Sequence, residues 1–160
     1  QSLDEGGEVE RGRNGLVSAL IEAIARAKGR GELGPLVQAI PYAHFIGMSA
    51  TIEQDGGLVA RMSPHASNIG NPALPALHGG TIGALLESVS IFELVWRLDT
   101  ERLPKTINVT IDYLRSGKLV VTHARAAITR RGSRVANVDA VAWQEDVNDP
   151  IARAFVHFLL

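Results

Sequence analysis

The spacing of apolar residues divides the chain into helical and strand-forming parts. Over residues 16–28 the apolar side chains recur on one helical stripe, and residues 33–40 predict a short second helix that ends before a proline. Residues 1–13 are charged and contain glycine, which favours a flexible tail. We therefore expect a tail at 1–13, then N-terminal helices within 14–40 that pack on a domain formed by 41–160.

Patterns typical of β-strands dominate the remainder of the chain. The predicted strands cover residues 46–53, 57–62, 106–113, 118–129, 133–143 and 151–160. A Gln-Asp-Gly-Gly turn between the first two favours a hairpin. A loop rich in proline, asparagine and serine follows this hairpin at 63–77.

One long helix interrupts the strands. Residues 79–97 are apolar nearly all round, which is typical of a helix buried in the core rather than laid on the surface. A mostly antiparallel sheet of five or six strands wrapped around this helix satisfies the order of elements. The predicted fold class is therefore α+β.

Composition and charge narrow the possible functions. A chain of 160 residues with 46% hydrophobic residues predicts one globular domain. The net charge of −1 provides no strong field for nucleic acid or for an anionic membrane. The chain contains no cysteine, which excludes disulfides and a thiol nucleophile, and its histidines lack metal-ligand spacing. We expect no metal, no nucleic-acid or membrane partner, and a cytoplasmic location.

A glycine turn and a lone acid are the candidate chemistry of the long helix. Gly79 and Gly80 follow His78 at the start of the helix, where exposed N–H groups attract developing negative charge. A glycine there lets a ligand approach the backbone closely. Glu87 is an acid in an otherwise apolar stretch. Its neighbours on that face of the helix are small, which leaves room for a substrate group: Gly80, Gly83, Ala84 and Ser90.

Structural interpretations of the same residues remain open at this point. The glycine turn is compatible with a plain tight turn, and Glu87 is compatible with a buried acid paired with an arginine. Glu93 lies four residues before Arg97, the favourable order for an intrahelical ion pair, so we interpret Glu93 as structural.

With these residues the chain resembles the PaaI-type acyl-CoA thioesterases of the hotdog superfamily. Their signature is a His-Gly-Gly turn with an Asp or Glu nine residues after the histidine, as His78 and Glu87 are placed. Residues 106–115 (TINVTIDYLR) resemble the family's Thr/Ser-x-x-x-x-x-x-Tyr strand, and the likeness covers roughly 43–160. The resemblance implies a hotdog fold and hydrolysis of an acyl-CoA to a carboxylic acid and free coenzyme A. No cofactor is implied, because coenzyme A is part of the substrate.

The resemblance also implies roles for individual residues. The Gly79 N–H would be the oxyanion donor, and Glu87 would act as general base or as nucleophile. Thr106 would orient the attacking water. His78, which opens the motif, belongs to the same catalytic set.

An asparagine is part of the family's site as well. Asn71 would hold the substrate or the water, although it lies seven residues before the histidine where the family usually has six. Asn68 is therefore a second candidate. Gly80 and Gly83 are expected to contact the substrate.

The length of the helix argues for a shared site. Eight residues of α-helix span about 12 Å at ~1.5 Å per residue. Gly79 and Glu87 of one chain therefore cannot both touch one thioester carbon. We expect an obligate homodimer in which each site combines Gly79 of one chain with Glu87 of the other. The family often pairs such dimers, so a dimer of dimers is a compatible alternative.

Coenzyme A carries phosphates, so a basic rim is expected around the site. The candidates are Arg115, Lys118, Arg130, Arg131 and Arg134. The alternative for each is a solvated surface side chain.

Two other functions compete with thioester hydrolysis. A hotdog enoyl-thioester hydratase or dehydratase also combines a loop histidine with a helix acid, but the chain lacks the His-Phe-Pro-Gly and Asp-x-x-x-x-His patterns of those enzymes. A non-catalytic acyl-CoA binding module would need the cleft but not the acid. The sequence leaves the acyl group, the exact role of Glu87 and the choice between dimer and tetramer open.

Overall fold

The computed structural model describes residues 5–98 and 103–160. Within them the α-helices are α1 (Glu5–Arg30), α2 (Gly34–Ala39), α3 (Pro41–Phe45) and α4 (Gly79–Arg97). The strands are β1 (Met48–Ile52), β2 (Leu58–Met62), β3 (Ile69–Asn71), β4 (Ala76–Leu77), β5 (Lys105–Tyr113), β6 (Thr122–Arg131), β7 (Val135–Trp143) and β8 (Ala152–Leu159).

Six of the strands form one antiparallel sheet. Its order is β1-β2-β6-β7-β8-β5, so β1 and β5 are the edge strands. The remaining two strands, β3 and β4, form a small separate pair in the segment that the sequence predicts as a loop. This confirms the α+β hotdog architecture, with six strands in the main sheet.

Helix α4 lies in the core against the concave face of the sheet. Leu85, Leu86, Val89 and Phe92 are fully buried on it. The sheet residues that face the helix are largely alanines, which let the helix backbone approach closely: Ala60, Ala124, Ala136, Ala142, Ala152 and Ala154. Helix α4 is long and apolar enough to cross a membrane by length and composition, but 61% of it is buried inside the protein. Its apolar surface is thus explained by the core.

The N-terminal segment is more helical than the sequence predicts. Helix α1 begins at Glu5, so most of the predicted tail at 1–13 is helical in the structure. The segment contains no proline, and its glutamates and arginines are good helix formers, which explains the extension. Residues 1–4 lie outside the described part. Ala23, Ile24 and Ala27 anchor α1 on the domain, as the packing of N-terminal helices requires.

Two strand boundaries differ from the prediction for local reasons. Strand β1 begins at Met48 because Gly47 has a positive φ of 76°, which extended strands do not adopt. Strand β6 begins at Thr122 rather than at Lys118, because Lys118 makes an isolated bridge to Ala76 and then turns. A further short helix, α3, begins at the proline before which the predicted second helix ends.

Candidate active site

The turn before α4 is held by a dense set of hydrogen bonds. The His78 N–H donates to the Asn68 carbonyl at 2.8 Å, and the His78 carbonyl accepts from the Thr81 N–H at 3.0 Å. The Thr81 hydroxyl also donates to that carbonyl, at 2.8 Å. The turn is therefore fixed on both sides, although the sequence alone is compatible with any tight turn.

His78 is the N-cap residue of α4. Its Nδ1 accepts a hydrogen bond from the Gly80 N–H at 2.8 Å. In the neutral imidazole the proton then lies on Nε2, and the exposed ring presents that N–H to solvent. The Gly80 N–H, in contrast, is occupied by the cap and is not available to a ligand.

Gly79 has the one backbone N–H between His78 and Ile82 that makes no hydrogen bond within the described residues. It lies at the start of α4, where the partial positive charge of the helix is greatest. Its carbonyl accepts from the Tyr113 hydroxyl at 2.7 Å. The arrangement leaves a free N–H, at a fixed place, for an oxygen that gains negative charge.

Gly79, Gly83 and Glu87 follow one another at four-residue spacing and therefore share a face of α4. A Cβ on Gly83 would lie 2.9 Å from Cδ1 of Ile111, so this face is turned towards the edge strand β5. Glu87 is partly buried. Among the described residues its carboxylate has no hydrogen bond or ion pair, so the interpretation as an arginine-paired structural acid finds no support.

Glu93 makes the intrahelical pair that the sequence predicts. Its Oε1 lies 2.9 Å from Nε of Arg97, and Nη2 of Arg97 donates to the Gly56 carbonyl at 2.8 Å. The pair ties the end of α4 to the β1–β2 turn. Glu93 is therefore structural, which distinguishes it from Glu87 on the same helix.

The two candidate asparagines have different environments. Asn68 is fully buried, and its side-chain amide donates to the Ile46 carbonyl at 3.0 Å. Asn71 is exposed, and its Oδ1 accepts from the Ala73 N–H at 3.0 Å, which leaves the side-chain NH₂ towards solvent. Asn68 supports the turn from within the core, whereas Asn71 is accessible to a ligand.

Thr106 lies at the far end of β5 from Gly79. Tyr113, which bonds Gly79, closes the other end of the strand, and the span from Thr106 to Tyr113 is about 23 Å at ~3.3 Å per residue. A register shift between Thr106 and Asn108 gives β5 a bulge at this end. One chain therefore does not bring Thr106 and Gly79 together.

A cavity of about 410 Å³ adjoins Gly79. Its walls combine polar and apolar groups from the β4–α4 junction, the end of β5 and the loop that follows: Ala76, Leu77, Gly79, Ile82, Tyr113, Leu114, Arg115, Ser116 and Gly117. The free N–H thus lies beside a space that is large enough for part of a small-molecule ligand.

The candidate basic residues fall into two groups. Arg115 is engaged by the loop before β8, with Nη1 2.9 Å from Oδ2 of Asp149 and Nη2 donating to the Asp149 carbonyl, and Nζ of Lys118 lies 3.8 Å from Oε1 of Glu145. The second group lies at the opposite end of the sheet, near Thr106, and its side chains are exposed: Arg130, Arg131 and Arg134. Only this second group has guanidinium groups without a partner in the described part of the chain.

The one resolved pKa shift lies away from this turn. Burial lowers the pKa of His123, Arg61 lowers it further, and Glu53 opposes both. His123 stacks on Trp143 on the outer face of the sheet, with ring centroids 5.6 Å apart. A cavity of about 370 Å³ on that face is lined by none of the predicted site residues. In residues 5–98 and 103–160 no cluster of side chains has the composition of a metal site.

Two contacts of this site are missed by sequence reasoning. The sequence shows Tyr113 only as part of a strand pattern. Its hydrogen bond to Gly79, which lies 34 residues away, leaves no local sequence signal. The carbonyl of Asn68 fixes His78, and a backbone acceptor of that kind leaves no trace in residue type.

The model of the family described as "Thioesterase superfamily" matches residues 74–151. A solved protein from Chromobacterium violaceum is 35% identical to this chain, with 87% of this chain and 96% of that chain covered and a TM-score of 0.71. A phenylacetic acid degradation-related protein from Ralstonia eutropha JMP134 is 22% identical, with coverages of 86% and 99% and a TM-score of 0.69.

A Bacillus halodurans protein crystallised with CoA is 19% identical, with 92% of each chain covered and a TM-score of 0.65. At these last two identities the likeness extends to the fold alone. No curated protein matches the chain.

Proposed function

Because this chain belongs to the thioesterase superfamily, we propose that it hydrolyses an acyl-CoA thioester to a carboxylic acid and free coenzyme A. Membership of the superfamily supports thioester hydrolysis in general. The observation that carries the finer proposal is that the Gly79 N–H at the start of α4 and the Glu87 carboxylate on the same helix face have no partner among the described residues. The residue types of Gly79 and Glu87 and their spacing match the signature of the PaaI-type thioesterases.

In the proposed reaction the thioester carbonyl oxygen accepts a hydrogen bond from the Gly79 N–H. Glu87 removes a proton from water while the water oxygen forms a bond to the carbonyl carbon. The negative charge that develops on the carbonyl oxygen is stabilised by the N–H and by the helix dipole. When the carbon–sulfur bond breaks, the proton returns from Glu87 to the thiolate, which gives the acid and free coenzyme A.

A covalent route uses the same groups. Glu87 would attack the carbonyl carbon directly, expel the thiolate and form a mixed anhydride that water then hydrolyses. Its carboxylate, free of hydrogen bonds within the described chain, suits either role. In a single turnover in ¹⁸O-water the general-base route places ¹⁸O only in the product acid. Appearance of ¹⁸O in Glu87 identifies the covalent route, with water attacking the Glu87 carbon of the anhydride.

Both routes require two subunits. Gly79 and Glu87 of one chain are about 12 Å apart along the helix. Strand β5 offers the surface for a second copy, because it is a nine-residue edge strand with Ile107 58% exposed. Antiparallel pairing of β5 with its symmetry mate would place two α4 helices side by side in opposite directions.

This pairing also explains Thr106 and the basic residues. Two-fold symmetry about the middle of β5 brings the Thr106 end of one chain to the Gly79 end of the other. Thr106 then acts in the site that contains Glu87 of its own chain, and it orients the attacking water. The three arginines at that end, Arg130, Arg131 and Arg134, have no partner among the described residues and would meet the phosphates of coenzyme A.

The remaining residues have supporting roles in the proposal. Asn71, through its free NH₂, holds the substrate or the water, and His78 shapes the turn through its cap on the Gly80 N–H. Gly80 and Gly83 keep the helix face open to the substrate. Arg115 is assigned to the β8 loop rather than to coenzyme A, since its guanidinium is already bound.

Release of free thiol from short, long and aromatic acyl-CoAs tests the proposal. We expect turnover of at least one substrate by the wild type and a loss of about 100-fold or more in Glu87→Gln, as for removal of a general base. Glu22→Gln, which removes a carboxylate from the exposed face of α1, is the matched control and should retain wild-type turnover. Unchanged turnover in Glu87→Gln would contradict the mechanism, and hydration of an enoyl-CoA without thiol release would instead favour a hydratase.

A further inference from the structure

The hydrogen bond between Tyr113 and the Gly79 carbonyl joins the edge strand to the turn that begins α4. The hydroxyl donates to the carbonyl oxygen at 2.7 Å. A Cβ on Gly79 would lie 3.2 Å from the Tyr113 ring, so the ring packs directly on the glycine. The same ring lines the cavity of about 410 Å³ beside the free N–H.

Gly79 needs such a constraint more than other residues would. Without a Cβ, a glycine backbone samples a wider range of φ and ψ, and ordering it costs about 0.5–1 kcal/mol more than ordering an alanine. The neighbouring peptides are fixed by other bonds, through the His78 cap and the Asn68 carbonyl. The carbonyl side of Gly79 has Tyr113 as its contact from outside the helix.

The anchor itself is rigid. Tyr113 pairs in register with Ala152 of β8, which is fully buried. The hydrogen bond from Tyr113 therefore attaches the Gly79 turn to the six-stranded sheet. An N–H that stabilises developing charge is effective only when its direction is set before the reaction. Reorienting it during the reaction would cost free energy and so reduce the stabilisation of the transition state. Positioning from a strand is more precise than positioning from a loop.

We propose that Tyr113 is a positioning residue for the oxyanion donor: its hydroxyl holds the carbonyl of the Gly79–Gly80 peptide. It thereby restricts the backbone torsion angles of Gly79, whose N–H belongs to the preceding His78–Gly79 peptide. This inference rests on the proposed function of Gly79. It assigns to Tyr113 an effect on the transition state, where the carbonyl oxygen carries charge, and little effect on the ground state, where it does not.

Replacement of the hydroxyl alone tests this role. In Tyr113→Phe, which keeps the ring against Gly79, we expect kcat to fall about five- to tenfold, with KM changed less than about twofold, as for loss of one hydrogen bond that acts mainly in the transition state. The matched control is Thr51→Val, which removes an exposed hydroxyl from strand β1, where it donates to Glu53. The control should retain wild-type kcat and KM.

A second measurement does not depend on turnover. Labelling with ¹⁵N-glycine gives signals from only 16 residues, and the Gly79 signal is identified by its disappearance in Gly79→Ala. In Tyr113→Phe we expect the Gly79 amide signal to shift, while the Gly132 signal stays in place. An unmoved Gly79 signal, or an unchanged kcat, would overturn the proposal.

The two measurements also separate this inference from the proposed function. If the wild type released no thiol from any acyl-CoA, the proposed function would fail. The Gly79 amide signal would still show whether Tyr113 sets its environment.

Discussion

Complementation between two inactive variants offers the sharpest test of the shared site. Gly79→Pro removes the N–H that is proposed to bind the oxyanion, and Glu87→Gln removes the base. Proline is well tolerated at the first position of a helix, and His78 before it has an extended ψ of 132°, which a following proline requires. The Tyr113 ring would need to yield slightly, because a Cβ at this position lies 3.2 Å from it.

The expected activity follows from the helix geometry. Since about 12 Å of helix separates the two groups within one chain, each site must use both chains. In a heterodimer of the two variants, one site then combines an intact Gly79 with an intact Glu87, and the other site contains both defects. Each homodimer of a variant has two defective sites. We therefore expect the heterodimer to have about half the wild-type kcat per dimer, although neither variant is active alone.

Two different affinity tags on co-expressed chains allow the heterodimer to be isolated and assayed for thiol release. A second arm pairs the wild-type chain with the double variant Gly79→Pro/Glu87→Gln. With shared sites this heterodimer has no intact site, whereas with sites inside single chains it keeps half the wild-type activity. An inactive heterodimer in the first arm, together with a half-active one in the second, would refute the geometric argument.

Two further predictions concern stability. Phe92→Ala removes a fully buried ring from α4 and should lower the free energy of unfolding by about 3–5 kcal/mol in urea titrations; a loss below about 1 kcal/mol would contradict the assignment of α4 to the core. The pKa of His123 is lowered in the folded protein, so the unfolded chain binds this proton more readily as the pH falls below about 6.5. The contribution of His123 to the free energy of unfolding is therefore fully present above that pH and is lost on acidification. In His123→Gln the free energy of unfolding should fall less between about pH 7.5 and 5 than in the wild type. An equal fall would exclude His123 as a source of the pH dependence.

Glu87 has no ion-pair partner among the described residues, and this supports its proposed function. The other acid on α4, Glu93, is buried with its Oε2 unbonded among the described residues, but its Oε1 has an ion-pair partner in Arg97 at 2.9 Å. Glu87 is partly buried without such a partner among the described residues. Proteins tolerate an uncompensated polar group of this kind mainly where function requires it. The contrast between the two glutamates therefore supports the proposed role of Glu87.

The sequence determined the fold class and indicated the residues at the centre of the candidate site. Period-two alternation predicted the strands, and a helix apolar on all sides predicted α4 in the core, because only a surrounding sheet can bury such a helix. The spacing of His78, Gly79 and Glu87 is local, and a helix converts it directly into positions along one element. These features were predictable because neighbours in sequence decide them.

Only the tertiary structure decided how the turn at Gly79 is held and which candidate residues lie away from it. The bonds from Tyr113 to Gly79 and from His78 to Asn68 join residues from separate elements, and only chain folding brings those elements together. The engagement of Arg115 by Asp149 has the same origin, as does the placement of Thr106 at the end of β5 that is remote from Gly79. Spacing along a chain gives the distance within one helix, but contacts between elements depend on sheet order and register, which long-range packing determines.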